Sequence, residues 1–296
     1  MKAIHLAQLA SLSLPLCLAG CSFLPSTRRL PVPKAPGNVQ TLTPDELVAK
    51  LNDRWNAMQS LNAKVSVKAS VDKPKEGLEH SYTTFPAIIL LRKPQMLRVL
   101  GQLPVLNTRM FDMASDGKNF TLYVPSKKEA VEGPAELTKK SSDQIENMRP
   151  GFFFDAMAVR GLEPDNFYAV TADSETVEDP AKKHLLLKSE YILSILRQKP
   201  DSRQIITERV IIFDRTTLLP YEQDIYDADG NLETKVLYAN YGDFGSINFP
   251  STITIERPQE AYHIVMTVLT VNENQPLKDD QFTVTYPPDT QIKKLQ

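Results

Sequence analysis

Alternation of apolar or small residues with polar residues is the feature that most limits the fold of this chain. Residues 63–71 alternate strictly between the two classes. Because successive side chains of a strand point to opposite faces, this pattern predicts a half-buried strand. The same pattern recurs to the C-terminus, at residues 83–92, 96–101, 108–114, 119–124, 183–196, 204–213, 221–226, 233–241, 252–257 and 262–271. Most of the chain is therefore predicted to be antiparallel sheet.

The links between these segments are short and carry turn residues. Asp116-Gly117 and Asp229-Gly230 lie in two of them, and Asp-Gly suits a tight hairpin. Consecutive strands are therefore expected to be neighbours. So many strands in one sheet would leave open edges unless the sheet curled toward closure. The sequence predicts a mainly β (α+β) fold, in which a curled antiparallel sheet forms an open, incomplete β-barrel capped by helices.

The first predicted helix has a complete N-terminal signal. Thr43 suits the N-cap, Pro44 the first helical position, and Glu46 can close a capping box. Apolar residues then recur at helical spacing, at Leu47, Leu51, Trp55 and Met58. We expect this helix to end near residues 60–61 and to fill part of the barrel.

A second helix is predicted at residues 142–160, with a break at Pro150-Gly151. Its apolar part begins with Phe152, Phe153 and Phe154. An apolar helix needs an apolar surface to lie on, so we expect it to form a lid on the concave face of the sheet. The three phenylalanines could contact a ligand or pack as ordinary core, and the sequence leaves both open.

The N-terminus has the features of a bacterial lipoprotein signal. Lys2 and an apolar stretch at residues 4–18 precede Leu18-Ala19-Gly20-Cys21. The stretch is shorter than the ~20 apolar residues that span a bilayer, and the small residues suit cleavage before a thiol that can accept a lipid. We expect residues 1–20 to be a signal peptide, with Cys21 lipidated at the start of the mature chain. An ordinary cleaved signal peptide is the alternative.

The segment after the cysteine predicts a tether and a location. Residues 21–42 are rich in proline, which is typical of an extended linker, and residues 43–296 are expected to form one domain. Gram-negative sorting usually retains a lipoprotein in the inner membrane when aspartate follows the cysteine. Ser22 stands there instead. We therefore expect anchoring in the outer membrane, with the domain facing the periplasm.

Composition and motifs argue against several classes of function. The only cysteines are Cys17 and Cys21, so the mature chain is expected to have no disulfide and no redox centre. A formal net charge of -2 gives no reason to expect nucleic-acid binding.

Catalytic residues are also not expected. His80, His184 and His263 are far apart in sequence, and no motif of a hydrolase or a phosphate loop is present. The aspartates at residues 224–229 resemble a calcium loop but lack its final acid. We therefore expect no enzyme activity, no cofactor and no metal site.

Four segments resemble the LolA/LolB family of lipoprotein carriers and receptors of Gram-negative envelopes. They are residues 51–65, 91–98, 113–125 and 282–289, in the same order and spacing as in that family. The resemblance covers most of residues 45–291. It implies an open antiparallel barrel capped by helices, an apolar cavity that holds acyl chains, and no catalytic activity. The predicted anchor matches the receptor rather than the soluble carrier.

The resemblance also implies candidate site residues. In the soluble carrier an arginine before a proline ties down the helical lid, and Lys93 occupies that position before Pro94. The receptor exposes a leucine on a loop that corresponds to residues 103–106, although these residues could instead be buried at a strand end. The candidate lipid-binding residues are Val105, Leu106, Phe152, Phe153 and Met157. Residues 160–203 are extra relative to the family and have no assigned role.

Together these features predict an outer-membrane lipoprotein that binds acyl chains of lipids or lipoproteins and receives or inserts lipoproteins there. Its expected partners are acyl chains, the membrane and a periplasmic carrier protein. One alternative is a scaffold lipoprotein of the same fold that binds a protein partner, and a second is an envelope hydrolase. The carrier or receptor predicts an apolar cavity, whereas the scaffold predicts an interior filled by side chains.

Overall fold

The structure, a computed structural model, describes residues 37–73, 78–135, 149–178, 185–245 and 247–295. The predicted signal peptide, Cys21 and most of the tether lie outside the described residues. So do residues 142–148, the first part of the predicted second helix. The structural statements below concern the described ranges.

Fifteen strands and two α-helices make up the described part of the chain. The helices are α1 (Pro44–Ala57) and α2 (Pro150–Met157). The strands are β1 (Ser60–Lys73), β2 (Leu78–Ser81), β3 (Phe85–Arg92), β4 (Met96–Gln102), β5 (Arg109–Ser115), β6 (Asn119–Val124), β7 (Glu129–Pro134), β8 (Phe167–Glu178), β9 (Leu185–Gln198), β10 (Ile205–Asp214), β11 (Pro220–Tyr226), β12 (Leu232–Phe244), β13 (Ile247–Arg257), β14 (Tyr262–Glu273) and β15 (Gln291–Lys294).

All fifteen strands belong to one sheet. Its order is β15-β7-β6-β5-β4-β3-β1-β14-β13-β12-β11-β10-β9-β8, and β2 pairs with the end of β1. Every pairing is antiparallel except that of β15 with β7. The terminal strands β8 and β15 are not paired with each other, so the sheet is curled but not closed. The predicted mainly β fold with an open, incomplete barrel is confirmed.

The start of α1 has the predicted capping box. The Glu46 amide donates to Thr43 Oγ1 at 3.3 Å, and the Thr43 amide donates to Glu46 Oε2 at 2.7 Å. Leu47 and Leu51 are buried in a cluster with side chains of β9 and β10. The helix ends at Ala57, slightly before the predicted end, because Ser60 already begins β1.

The main apolar core lies between the concave face of the sheet and α2. It contains inward-facing side chains of β1, β3 to β7 and β12 to β14, together with the apolar side chains of α2. Val159, just after α2, packs against both this core and the α1 cluster. The two helices therefore cover adjoining parts of one concave surface.

The C-terminal segment crosses the opposite face of the sheet. Arg98 Nη1 donates to the backbone oxygen of Gln281 at 3.0 Å, and Arg109 Nη1 donates to that of Thr285 at 2.7 Å. The hydroxyl of Tyr286 donates to Glu132 of β7 at 2.6 Å. These polar contacts place residues 281–286 across β4, β5 and β7, before β15 joins the sheet edge.

Two local expectations were wrong. Pro150 and Gly151 lie in the first turn of α2 rather than at a break, because the first helical position needs no N–H donor; the predicted part before Arg149 lies outside the described residues. In addition, the alternation pattern did not identify four strands, β2, β7, β8 and β15. Two of them, β8 and β15, form the ends of the sheet, where both faces are exposed along most of the strand and the apolar period disappears.

The candidate lid and the apolar interior

The helix α2 is apolar on nearly every side. Its buried side chains include Phe152, Phe153, Phe154 and Met157, none of them more than 5% exposed. A helix that is apolar all round must be buried, and α2 achieves this by lying on the concave face of the sheet. The candidate residues Phe152, Phe153 and Met157 are therefore brought together, and they pack against protein side chains in this structure.

Aromatic contacts join α2 to two other elements. The rings of Phe152 and Tyr262 of β14 have centroids 6.1 Å apart. Phe154 makes an edge-on contact with Trp55 of α1, with centroids 6.3 Å apart. Such pairs contribute ~0.5–1.5 kcal/mol beyond the burial of apolar area. These contacts fix both α1 and the sheet against α2.

Polar contacts hold the C-terminal half of α2. Gln223 Nε2 donates to the backbone oxygen of Asp155 at 3.0 Å, and the Asp155 carboxylate forms an ion pair with Arg160. Arg209 donates through its two terminal nitrogens to the backbone oxygens of Arg160 and Gly161, each at 3.0 Å. Burial lowers the pKa of the Arg209 guanidinium, and the charges of Asp155 and Glu208 oppose that effect. This side of α2 is thus tied to β10 and β11.

Lys93, the candidate lid contact, interacts with α1. Its Nζ donates to the backbone oxygen of Trp55 at 2.6 Å and lies 3.9 Å from the centroid of the Trp55 ring. Burial lowers the pKa of its ammonium group. Since Trp55 in turn contacts Phe154, these contacts connect Lys93 to α2 through the indole ring.

The hairpin tip between β4 and β5 presents apolar side chains to solvent. Val105 is 94% exposed and Leu106 is 70% exposed, so these two residues are not buried at a strand end. The Leu106 amide donates to the backbone oxygen of Pro104 at 2.8 Å around Val105, whose φ is 71°. A β-branched residue is rarely found with positive φ, and such strain costs ~1–3 kcal/mol. The tip therefore holds Val105 outward at an energetic cost.

Three cavities of the described residues touch α2, and the two larger ones have charged walls, whereas the third, of about 50 Å³ beside Met157, is mostly apolar. One, of about 260 Å³, is lined by residues that include Arg160, Glu208 and Arg209. The other, of about 350 Å³, is lined by residues that include Arg149, Glu233 and Arg257. The apolar part of the concave face is occupied by the side chains of α2. The small apolar cavity beside Met157 is too small for a long acyl chain, so α2 would have to move for such a chain to reach that surface.

The described residues contain no group of three or more histidine, cysteine, aspartate or glutamate side chains arranged to hold a metal. His80 on β2 and His263 on β14 lie on opposite edges of β1, while His184 is outside the described residues. Neither helix in the described ranges is long and apolar enough to cross a membrane.

The fold is similar to those of solved bacterial proteins. A DUF1329 family protein from Desulfovibrio piger matches with a TM-score of 0.52 and 14% identity, over 80% of this chain and 95% of that chain. A LolA superfamily protein from Nitrosomonas europaea matches with a TM-score of 0.49 and 14% identity, over 82% of this chain and 99% of that chain. The chain therefore shares its overall fold with the DUF1329 family protein. No family model matches the chain, and no curated protein matches it.

The sequence identified the α2 residues and the apolar tip as separate candidates, and in the structure the α2 residues are buried whereas the tip is exposed. It did not identify Trp55 as the link between Lys93 and α2, or Gln223 and Arg209 as ties to α2. The helical spacing of Trp55 predicted that it faces the core, but its two partners, Lys93 in the turn after β3 and Phe154 of α2, are distant in sequence.

Proposed function

We propose that this protein is an outer-membrane-anchored lipoprotein, lipidated at Cys21, that binds acyl chains of lipids or lipoproteins on the concave face of its sheet. The helix α2 acts as a lid. When α2 leaves, the surface covered by Phe152, Phe153 and Met157 becomes available, and an acyl chain takes their place. No covalent chemistry is needed, because burial of each methylene group contributes ~0.8 kcal/mol.

The observation that supports this proposal best is that α2 is both apolar and short, and that it covers an apolar surface of the sheet. The helix has only eight residues, so it is marginal without tertiary contacts. Its removal would expose a wide apolar surface formed by the strands of one open sheet. Such a surface is a natural binding site for a flexible hydrocarbon chain.

The exposed tip serves the membrane step of the same proposal. Val105 and Leu106 are held outward at a strained turn, and an uncharged apolar tip can enter the outer part of a bilayer. There it would help a bound lipoprotein pass into the membrane after delivery by a periplasmic carrier protein.

A lock on α2 tests the acyl-binding step. The mature chain from Ser22 onward contains no cysteine, so a pair introduced as Phe152→Cys and Tyr262→Cys would provide the only two thiols, and a bis-maleimide cross-linker would join them. These side chains already contact each other. A dansyl-labelled C11 fatty acid should bind the variant before cross-linking and should not bind it afterwards, with the wild-type chain before and after the same treatment as controls.

Equal binding to both forms would show that α2 is not a lid.

The filled interior favours a second candidate, a scaffold lipoprotein of the same fold that binds a protein and no lipid. If the probe fails to bind the wild-type chain, and native mass spectrometry finds no copurified lipid, the scaffold is the better explanation.

A further inference from the structure

The strand β8 leaves a long open edge at one end of the sheet. Its twelve residues pair with β9 in continuous register, from Phe167 opposite Leu196 to Glu178 opposite Leu185. No strand of the described residues pairs with its other side. At ~3.3 Å per residue this edge is ~40 Å long. It lies within the segment 160–203, to which the sequence assigned no role.

The opposite end of the sheet is built differently. There β15 has only four residues and carries Lys293 and Lys294. Short edge strands and lysine side chains are common means of preventing another chain from pairing with a sheet edge. By contrast, β8 is three times as long, contains neither lysine nor proline, and has no bulge in its pairing with β9.

The charged side chains of β8 and of the residues just before it are all negative, although Lys188 of β9 lies opposite Glu175. Asp173, Glu175 and Glu178 lie on β8 and are exposed, and the exposed Glu163 and Asp165 precede it. Residues 161–178 contain no lysine or arginine. Opposite charges on adjacent strands stabilise pairing, whereas like charges destabilise it. A second copy of this acidic strand is therefore a poor partner for β8, and a basic strand is a good one.

Apolar contacts are available at the same edge. Phe167 is 51% exposed and Tyr168 is 36% exposed, at the start of β8. Because successive residues point to opposite faces, these two rings flank the edge on both sides of the sheet. Aliphatic side chains of an added strand could pack on either ring.

We propose that β8 is a docking edge for an extended, basic segment of a partner protein, which adds to the sheet as a further strand. Backbone hydrogen bonds would supply affinity, and the acidic side chains would select the partner. This proposal is independent of acyl binding, since the edge lies outside the interior that α2 covers.

A synthetic peptide tests both parts of the proposal. The probe is a fluorescently labelled twelve-residue peptide that alternates lysine and valine, and the protein is the mature chain without its lipid. One control peptide carries glutamate in place of lysine. A second keeps the lysines but has N-methyl groups on alternate backbone nitrogens, which removes hydrogen bonds on one edge. The basic peptide should bind, and both control peptides should bind at least tenfold more weakly.

Variants locate the binding edge. The double change Asp173→Lys with Glu175→Lys should weaken binding of the basic peptide by about tenfold, since two attractions become repulsions. The control is Asp243→Lys with Glu256→Lys, which reverses two acidic charges on β12 and β13, inside the sheet. This double change should leave peptide binding unchanged. Hydrogen exchange of β8 amides should slow when the peptide binds.

Three results would overturn the proposal. The first is an absence of peptide binding, and the second is equal binding of the N-methylated peptide, which would leave only non-specific charge attraction. The third is concentration-dependent dimerisation in sedimentation experiments that the β8 charge reversal changes, because the occupant would then be a second copy of this chain.

Discussion

Lys93 binds Trp55 in two ways at once. Its Nζ donates to the Trp55 backbone oxygen at 2.6 Å and lies 3.9 Å from the centroid of the indole ring. The first contact helps to terminate α1 near the sheet, and the second fixes the ring that touches Phe154 of α2. A single cation thus supports the position of both helices.

Replacement of this lysine should loosen α2. Lys93→Ala removes one hydrogen bond and one cation–π contact, so we expect a loss of ~1–2 kcal/mol in the free energy of unfolding. Lys93→Arg keeps the cation over the ring and should lose less. Urea denaturation measures both values, and equal losses for the two variants would contradict the role of the cation.

Asp112 supports the opposite face of the sheet. Its side chain is fully buried and accepts hydrogen bonds from Arg98 Nε at 2.9 Å and Nη2 at 2.8 Å, with Arg109 at 3.3 Å. Asp112→Ala would leave these guanidinium groups without their shared carboxylate. Because Arg98 and Arg109 are partly exposed and water can solvate them, we expect a loss of ~1.5–3 kcal/mol in the free energy of unfolding, with easier proteolysis of the C-terminal segment that both arginines hold.

An exposed ion pair provides the control for Asp112. Asp279 pairs with Arg92, but its side chain is 87% exposed. Asp279→Ala should therefore change the free energy of unfolding by no more than ~1 kcal/mol. Similar losses for the two aspartate variants in urea denaturation would show that burial of Asp112 is not what matters.

A change at the strained tip should have opposite effects on stability and on membrane binding. Glycine adopts positive φ without strain, so Val105→Gly should keep or raise stability by up to ~1 kcal/mol. The same change removes an exposed apolar side chain, and binding to vesicles of phosphatidylethanolamine and phosphatidylglycerol should fall. Cosedimentation measures this binding in the unlipidated mature chain.

A second exposed residue gives a matched control for the tip. Ile205, which begins β10, is 54% exposed. Leu106→Asn should reduce vesicle binding, whereas Ile205→Asn should leave it unchanged. Equal effects would indicate general surface hydrophobicity instead of a specific tip.

The capping box of α1 should respond to pH. Hydrogen bonds from the Thr43 amide and hydroxyl lower the pKa of the Glu46 carboxyl. A carboxyl with a lowered folded pKa contributes stability above its unfolded pKa, ~4.3 for glutamate, and loses it as pH falls through the folded pKa. The stability difference between wild type and Glu46→Gln should therefore be larger at pH 7 than at pH 3. A difference that does not change with pH in urea denaturation would contradict this.

Whether the sequence could predict a strand depended on whether one face of that strand is buried. Inner strands such as β3 alternate between a buried core face and the other face along their whole length, so their pattern is plain. The edge strand β8 is exposed on both faces along most of its length, and its residues follow no apolar period. Backbone hydrogen bonds to β9 define it as a strand, and those depend on tertiary pairing.

The candidate site was predictable only in part, for a related reason. Consecutive phenylalanines showed that α2 must be buried, and the leucine-rich loop marked a candidate apolar tip. The sequence left open whether the tip is exposed, because apolar residues at a strand end occur both buried and exposed. The structure resolves this for Val105 and Leu106, whose turn directs them into solvent.

Local sequence by itself determined the start of α1, most inner strands and the short links between them, since capping, alternation and turn chemistry act between near neighbours in the chain. Tertiary structure alone decided that α2 fills the concave face, that Trp55 connects Lys93 to Phe154, and that β8 remains an open acidic edge. These features depend on contacts between residues distant in sequence. A one-dimensional pattern shows that a side chain needs burial or a partner, but only the folded sheet determines which partner it meets.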